Sequence, residues 1–566
     1  MKFSEMPYKR VEVDEARERS EAIRRNLAEA SSYEEARAAF MEQQKLETEI
    51  ETQYALVYVR HSIDTADSFY DAENEYWDSA NPMLQEFSQK FTEELLKTPF
   101  RDEFEKEFGT LLFTNAEISL KAFSPEIIPE IQEENSLTSA YAKLIASAQI
   151  EFEGEKRTLP QMTPFKQSPD DAVREAAWKA EGAFYMEHGE ELDTIYDKLV
   201  KIRDKMAKKM GYKNYVELGY YRMMRNCYTA EDVKNFRDAV RKYLVPVADS
   251  LEREQARRNG SAYPLSFWDE ALKFRSGNAK PFGTPEQILA HGREMYHEMS
   301  PETSEFIDFL YDNELLDVLS RKGKAGGGYC ISLPEYKAPF IFANFNGTSG
   351  DVEVITHEAG HAFAAYMARD IVPLENQSPT LEACEIHSMS MEFFAWAWAE
   401  GFFGKDTEKF HYGHLADAIT FIPYGSMVDH FQHIMYEHPE MKPEERHETW
   451  RKLEAEYRPW LKLEGLPFYG DGRGWQRQHH IYEDPFYYID YCLAQSVALQ
   501  FWALIQKDRK DAWERYIRLV KKAGTQTYRG LVETAGLSSP FGEKALSEIS
   551  TAAREYLEKF DRAALQ

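Results

Sequence analysis

Apolar residues recur along most of this chain at the spacing of α-helices. Residues 12–60 are rich in Ala, Glu, Arg and Leu, and their apolar positions follow the helical period. Ser32 with Glu35 predicts a capping box that restarts a helix within this stretch. Further helix starts are predicted at Ser168-Pro169, Thr229 and Thr284-Pro285. The pattern therefore predicts a mainly helical protein without internal repeats.

Strand-like patterns are few and short. Residues 149–159 alternate around Gly154 and predict a hairpin. Residues 326–333 and 339–345 are rich in β-branched or aromatic residues and are bounded by Gly and Pro, which predicts a small sheet. An extended peptide could pair with an edge of that sheet, although the strands could equally serve only for packing. The residues predicted to bind such a peptide are Gly328, Ala343, Asn344 and Phe345.

One predicted helix, residues 351–367, carries His357-Glu-Ala-Gly-His361. The two histidines are one turn apart on the same helix face and can hold a zinc ion. Glu358 can take a proton from a metal-bound water. The helix is apolar over much of its circumference, so we expect it to be buried. This predicts a hydrolase of amide bonds; the alternative is a surface helix whose histidines pair with carboxylates.

A zinc hydrolase usually has three protein ligands and one open position. A third histidine six residues beyond His361 is excluded, because that position is Met367. The next predicted helix, residues 382–396, offers three candidates, and the residues alone do not decide among them. These candidates are Glu382, Glu385 and His387.

Composition sets limits on the possible functions. The 566 residues include 97 acidic and 68 basic side chains, a net charge of -29. This balance argues against a nucleic-acid partner, which needs basic surface. We find no signal peptide, no apolar run of about 18 residues and too few cysteines for a disulfide framework. We therefore expect a cytoplasmic protein with no membrane partner. The change in the chain near residues 160–185, from Pro160 through Ser168-Pro169, is the candidate domain boundary, which predicts an N-terminal helical domain (1–185) and a catalytic domain (186–566).

The motif at 357–361, followed by Glu385-x-x-Ser388-x-x-x-Glu392, resembles the oligoendopeptidase F and thimet oligopeptidase family of zinc metallopeptidases. The segment 475–491 resembles the oligoendopeptidase F form, which includes bacterial Pz-peptidases. The resemblance implies a mainly α fold: a helical ellipsoid with a deep substrate channel, a thermolysin-like pair of zinc helices and a small β-sheet beside the active site. It implies one Zn²⁺ per chain, with Glu385 as the third ligand beside His357 and His361.

The resemblance also implies that the segment 475–491 faces the metal, where a phenol or an imidazole N–H can stabilise a developing oxyanion. The candidates are His480, Tyr491 and Tyr488. His479 replaces His480 if the register is shifted by one residue, and Tyr482 and Tyr487 are less favoured. The chain lacks the Gly-Gly-Tyr of thimet oligopeptidase here, so roles of that loop are not carried over.

The motif and the resemblance together predict a zinc-dependent metalloendopeptidase. The resemblance implies short unstructured oligopeptides as substrates, with collagen-derived Pro/Gly peptides as one candidate subclass. One rival is a zinc carboxypeptidase, which would use Arg473 or Arg477 to hold the substrate carboxylate. The other rival is a non-catalytic peptide-binding protein with a structural zinc. Three cysteines near site elements are interpreted as small buried hydrophobes, or as redox-sensitive thiols: Cys330, Cys384 and Cys492.

Overall fold

A computed structural model describes residues 1–321, 323–325, 327–345 and 349–560. The α-helices of these residues, numbered in chain order, are α1 (Val13–Ala28), α2 (Tyr33–Ile63), α3 (Ser68–Leu95), α4 (Arg101–Phe108), α5 (Leu111–Ala122), α6 (Ile128–Ala146), α7 (Leu159–Lys166), α8 (Asp171–Glu187), α9 (Gly189–Lys209), α10 (Tyr215–Arg222), α11 (Ala230–Tyr243), α12 (Val245–Asn259), α13 (Pro285–Met299), α14 (Pro301–Asp312), α15 (Ser349–Ala368), α16 (Leu381–Phe394), α17 (Ala399–Phe403), α18 (Thr407–Glu437), α19 (Pro443–Tyr457), α20 (His479–Glu483), α21 (Tyr488–Ile505), α22 (Arg509–Val520), α23 (Tyr528–Thr534) and α24 (Glu543–Leu557). The predicted mainly α fold with a small sheet is confirmed.

The strands in the described part of the chain are short and form three small sheets. They are β1 (Ile150–Phe152), β2 (Glu155–Arg157), β3 (Leu265–Ser266), β4 (Leu316–Leu319), β5 (Tyr329–Leu333), β6 (Ala338–Phe345) and β7 (Leu461–Lys462). In the largest sheet β6 lies between β4, to which it is parallel, and β5, to which it is antiparallel. The predicted strands 326–333 and 339–345 are thus confirmed as β5 and β6, except that Gly326 lies outside the described residues.

Local sequence signals account for most of the element boundaries. Helix α2 starts after Ser32 as predicted, and Ser32 accepts a hydrogen bond from the backbone N–H of Glu35, but the Glu35 carboxylate accepts from the backbone N–H of Ser31, so the predicted capping box is only half formed. The predicted helix starts at Thr229 and Thr284 are confirmed as capping boxes that begin α11 and α13. The predicted hairpin is confirmed, with positive φ at both turn residues between β1 and β2. The predicted start at Ser168 is wrong: α8 begins at Asp171, and its N-cap is Asp170, whose carboxylate accepts from two backbone N–H groups.

The chain forms two compact units, each assembled from several segments. Unit 1 comprises Met1–Leu120, Lys280–Gly404 and Leu504–Leu537, and it contains the sheet β4-β6-β5 with α15 and α16. Unit 2 comprises Lys121–Ala279, Lys405–Ala503 and the chain from Ser538 onwards. The predicted division by sequence after residue 185 stays a prediction. None of the helices in the described part of the chain combines the length and the apolar character needed to cross a membrane.

In unit 1, α15 packs against α16, β5 and β6, with α13 and α22 also in contact. Its buried side chains include Val352, Phe363 and Tyr366, so the predicted burial of this apolar helix is confirmed. A helix enclosed on several sides places its few polar side chains in a defined environment, since buried polar groups need specific partners.

Candidate active site

Helices α15 and α16 approach each other closely because residue 360 is glycine. A Cβ built on Gly360 would lie 2.7 Å from Ser388 Cα and 2.9 Å from the carbonyl oxygen of His387. Both distances are shorter than van der Waals contact. The hydroxyl of Tyr516 donates to the same His387 carbonyl at 2.9 Å, which ties α22 to α16. The glycine of the His-Glu-Ala-Gly-His pattern therefore allows the two histidines of α15 to reach side chains of α16.

Three of the predicted ligands converge at this helix contact. The Nε2 atoms of His357 and His361 each lie 3.4 Å from Oε2 of Glu385. All three ligand atoms lie within 4.8 Å of one another. Donors about 2.0–2.1 Å from a zinc ion at tetrahedral angles are about 3.3–3.4 Å apart, which both histidine–glutamate distances match. Two imidazoles and one carboxylate are a donor set that zinc binds, with a fourth position for water.

The other two candidates for third ligand are not part of this group. Glu382 is fully buried, and its Oε1 accepts a hydrogen bond from the hydroxyl of Thr380 at 2.8 Å. His387 is also buried, and burial lowers its pKa to about 3, so its imidazole stays neutral. Glu385 is oriented by Ser388, whose hydroxyl donates to Glu385 Oε2 at 3.0 Å.

Glu392 orients the first histidine from the side opposite Glu385. Its Oε1 lies 2.7 Å from Nδ1 of His357. A carboxylate can only accept, so Nδ1 carries the proton of the neutral imidazole and Nε2 presents a lone pair. This fixes the tautomer that a metal ligand requires. The position of Glu392, seven residues after Glu385 on one helix face, was the sequence signal for it.

Glu358 lies beside the three donors in a largely enclosed environment. Burial raises the pKa of its carboxyl group, although the nearby His357 and His361 lower it. A carboxylate whose pKa is moved toward neutrality is better matched to accepting and returning a proton.

Gly328, immediately before β5, approaches the same carboxylate. A Cβ built on Gly328 would lie 3.8 Å from Oε1 of Glu358 and 3.4 Å from the carbonyl oxygen of Phe342. Gly328 therefore keeps the space beside Glu358 open. The structure thus brings one of the four predicted peptide-binding residues next to the predicted base.

The other three, Ala343, Asn344 and Phe345, form the end of β6, the central strand of its sheet. The pairing of β6 with β5 ends at Phe342, which is opposite Tyr329, so these three residues have no partner on β5. Asn344 Nδ2 donates to the carbonyl oxygens of Ala325 and Gly327, at 2.8 and 3.0 Å, and so holds these two residues against this strand end.

In unit 2, the predicted oxyanion-stabilising residues form a cluster of their own. The imidazole of His480 has its centroid 4.9 Å from the ring of Tyr488 and 5.8 Å from that of Tyr491. Burial raises the pKa of Tyr488 well above its usual value, so this phenol keeps its proton. His480, Tyr488 and Tyr491 are thus brought together by α20 and the first turn of α21.

Neighbouring candidates are placed differently. His479 is exposed, and its Nδ1 lies 2.9 Å from Oε2 of Glu483. Tyr482 is fully buried and stacks on Tyr141 at 3.9 Å, as a packing residue does. Tyr487 has its ring 5.8 Å from that of His480. Sequence reasoning missed Gln478, whose Nε2 lies 2.8 Å from Nδ1 of His480, because a glutamine has no distinctive pattern.

The cysteines near these clusters are not joined in disulfides. Burial raises the pKa of Cys330 well above its usual value, and Glu358 and Cys384 raise it further. Burial likewise raises the pKa of Cys492. Protonated thiols are weak nucleophiles, which favours the interpretation as small buried hydrophobes.

Comparisons with known proteins agree over nearly the whole chain. The sequence matches the Peptidase M3 N-terminal domain over residues 3–123 and Peptidase family M3 over residues 164–551. It is 22% identical over 553 residues to Oligopeptidase PepF of Bacillus subtilis (strain 168), covering 90% of this chain and 77% of that protein. Pz peptidase A, solved with an inhibitor, is 44% identical with a TM-score of 0.94, over 99% of this chain and 100% of that one. A candidate oligoendopeptidase F from Bacillus anthracis str. Ames is also 44% identical, with a TM-score of 0.89 and 99% of both chains covered.

Proposed function

Since the chain belongs to peptidase family M3, we propose that it is a zinc-dependent endopeptidase that hydrolyses internal bonds of short, unstructured oligopeptides. The observation that carries this proposal is the spacing of His357, His361 and Glu385, which suits one zinc ion, with Glu358 beside them. The oligopeptidase and Pz peptidase relatives support a peptide substrate. Collagen-derived peptides rich in Pro and Gly are the first subclass to test.

A bound zinc ion would supply Lewis-acid chemistry, lowering the pKa of a water and polarising the scissile carbonyl. Glu358 accepts the proton of the attacking water on its carboxylate and then donates it to the leaving amine. Its raised pKa supports both steps, because a carboxyl group that is too acidic would not return the proton.

We assign to His480 and Tyr491 the donation of hydrogen bonds to the carbonyl oxygen as negative charge develops, with Tyr488 as a further donor. Their support is the clustering of one imidazole and two phenols within one short segment of the chain. An extended peptide would pair with backbone groups at Gly328 and at residues 343–345, where β6 continues past its pairing with β5.

The test is cleavage of an internally quenched peptide of about ten residues, blocked at both ends, with and without a zinc chelator. Internal cleavage that stops on chelation and returns with added zinc is expected. Glu358→Gln should bind zinc as the wild type does and lose about 10²–10⁴ of turnover. Full activity of this variant would remove the base assignment.

The blocked peptide also separates the rival functions. A carboxypeptidase would not cut a peptide whose C-terminus is blocked. Its proposed carboxylate anchors have other partners: Arg473 donates to Asp193 at 3.0 Å, and Arg477 lies 5.6 Å from the ring of Tyr469. A structural zinc normally has four protein ligands, whereas this donor set has three. The four cysteines form no disulfide among the described residues, which supports a reducing, cytoplasmic location.

A further inference from the structure

Gln478 and Tyr424 connect to His480 through a chain of hydrogen bonds. All three residues belong to unit 2, with Tyr424 on α18 and Gln478 immediately before α20. The hydroxyl of Tyr424 donates to Oε1 of Gln478 at 2.8 Å. The Nε2 of Gln478 lies 2.8 Å from Nδ1 of His480. Each partner is therefore within ordinary hydrogen-bond distance of the next.

The chemistry of the amide decides the proton position on the imidazole. An amide nitrogen donates and does not accept, so Nδ1 of His480 must be the acceptor in this contact. A neutral imidazole has one N–H, which must then be on Nε2. The imidazole is thereby set to act as a hydrogen-bond donor through Nε2.

Tyr424 binds the other end of the amide, the oxygen Oε1. Burial raises the pKa of its phenol, more than the nearby Arg477 and Arg458 lower it, so the hydroxyl keeps its proton. The guanidinium of Arg458 lies 5.2 Å from the centre of the Tyr424 ring, within the range of a cation–π attraction. A hydroxyl that donates to Oε1 leaves Nε2 of Gln478 directed to His480.

We propose that Gln478 and Tyr424 are positioning residues that hold His480 with its proton on Nε2, ready to donate to the oxyanion of the reaction. The role of His480 toward the oxyanion rests on the proposed peptidase function, whereas the position of its proton on Nε2 does not. A reversed tautomer would present a lone pair to the developing negative charge and would repel it.

The first test is the tautomer itself, by long-range ¹H–¹⁵N spectra of histidine-labelled full-length protein. His480 is assigned from the signals that disappear in His480→Gln, at a pH where its nitrogen shifts no longer change. Wild type should show an unprotonated Nδ1. Gln478→Glu replaces the donor by an isosteric group that only accepts, so Nδ1 should become protonated. A protonated Nδ1 in the wild type, or no change in the variant, would overturn the proposal.

The second test asks whether Gln478 acts through His480. At the same pH, Gln478→Glu should lower kcat by about 10²-fold, the usual effect of losing one oxyanion donor, with little change in KM. In a His480→Gln background the same substitution should have less than about a twofold effect, because residues that act as a unit are not additive. A further loss of about 10²-fold in kcat in that background would show that Gln478 does not act through His480.

The exposed Gln149→Glu is the matched control for the added charge and should leave kcat and KM unchanged. Tyr424→Phe removes the hydroxyl but keeps the ring, and it should lower kcat less than Gln478→Glu does. If wild type cleaves no peptide, the proposed function fails, while the tautomer measurement still decides whether Gln478 orients His480.

Discussion

The close contact between α15 and α16 makes Gly360→Ala an informative perturbation of the metal site. The added methyl carbon would lie 2.7 Å from Ser388 Cα, whereas carbon atoms normally stay about 3.5 Å apart. The helices must therefore separate by about 0.8 Å at this point. Glu385 is three residues from Ser388 on the same helix, so its carboxylate would move away from His357 and His361.

A displacement of this size is large for a metal site, where ligand distances hold to within about 0.2 Å. Zinc affinity should therefore fall by at least about tenfold. Overpacking costs about 1–3 kcal/mol, and alanine recovers about 1 kcal/mol of helix propensity, so the metal-free protein should lose up to about 2 kcal/mol of stability.

The assays are zinc titration against a competing chelator and denaturant unfolding of the metal-free protein. Gly413→Ala, within α18, is the control: its Cβ would meet nothing nearer than Phe274 Cε2 at 3.9 Å. It should leave zinc affinity unchanged and cost no stability. If Gly360→Ala bound zinc as tightly as the wild type, the argument that this contact sets the ligand spacing would be refuted.

Three further predictions concern single side chains. Glu392→Gln should weaken zinc binding by about 10–100-fold, because Nδ1 of His357 loses its carboxylate acceptor; chelator competition measures this, and an unchanged affinity would contradict it. Gly328→Ala should fold normally but lower kcat/KM severalfold, because its methyl group would lie 3.8 Å from Oε1 of Glu358; peptide kinetics with wild-type values would contradict this. Burial raises the pKa of Glu454 to about 7, above its unfolded value, so its stabilising contribution is fully present at low pH and is lost as the pH rises toward 7. Between about pH 5 and 8, the free energy of unfolding should therefore fall less for Glu454→Gln than for the wild type. Denaturant unfolding at a series of pH values measures this, and an equal fall in both proteins would refute it.

The sequence was sufficient for elements whose signals are local. The helical spacing of apolar residues in 351–367, together with the two histidines one turn apart, predicted α15. Both signals come from residues that are close in sequence, so they can be read without knowing the fold. Strand β4 was missed: Leu316–Leu319 is too short to show alternation, and it becomes a strand only by pairing with β6. The division into two units, each built from several separate segments of the chain, could not be predicted from local sequence patterns. It depends on contacts between residues that are distant in sequence.

In two histidines of this chain, the partner of Nδ1 determines whether Nε2 carries a proton or a lone pair. Glu392 meets Nδ1 of His357 with a carboxylate, which only accepts, so Nε2 is left with a lone pair. Gln478 meets Nδ1 of His480 with an amide nitrogen, which only donates, so Nε2 is left with the proton. A metal ligand needs the lone pair, and an oxyanion donor needs the proton. The two partners therefore support, independently of any motif, different roles for the two imidazoles. Gln478→Glu removes the donor that faces Nδ1 of His480 and so tests that assignment directly. Glu392→Gln keeps an acceptor oxygen and tests the contribution of the negative charge beside His357.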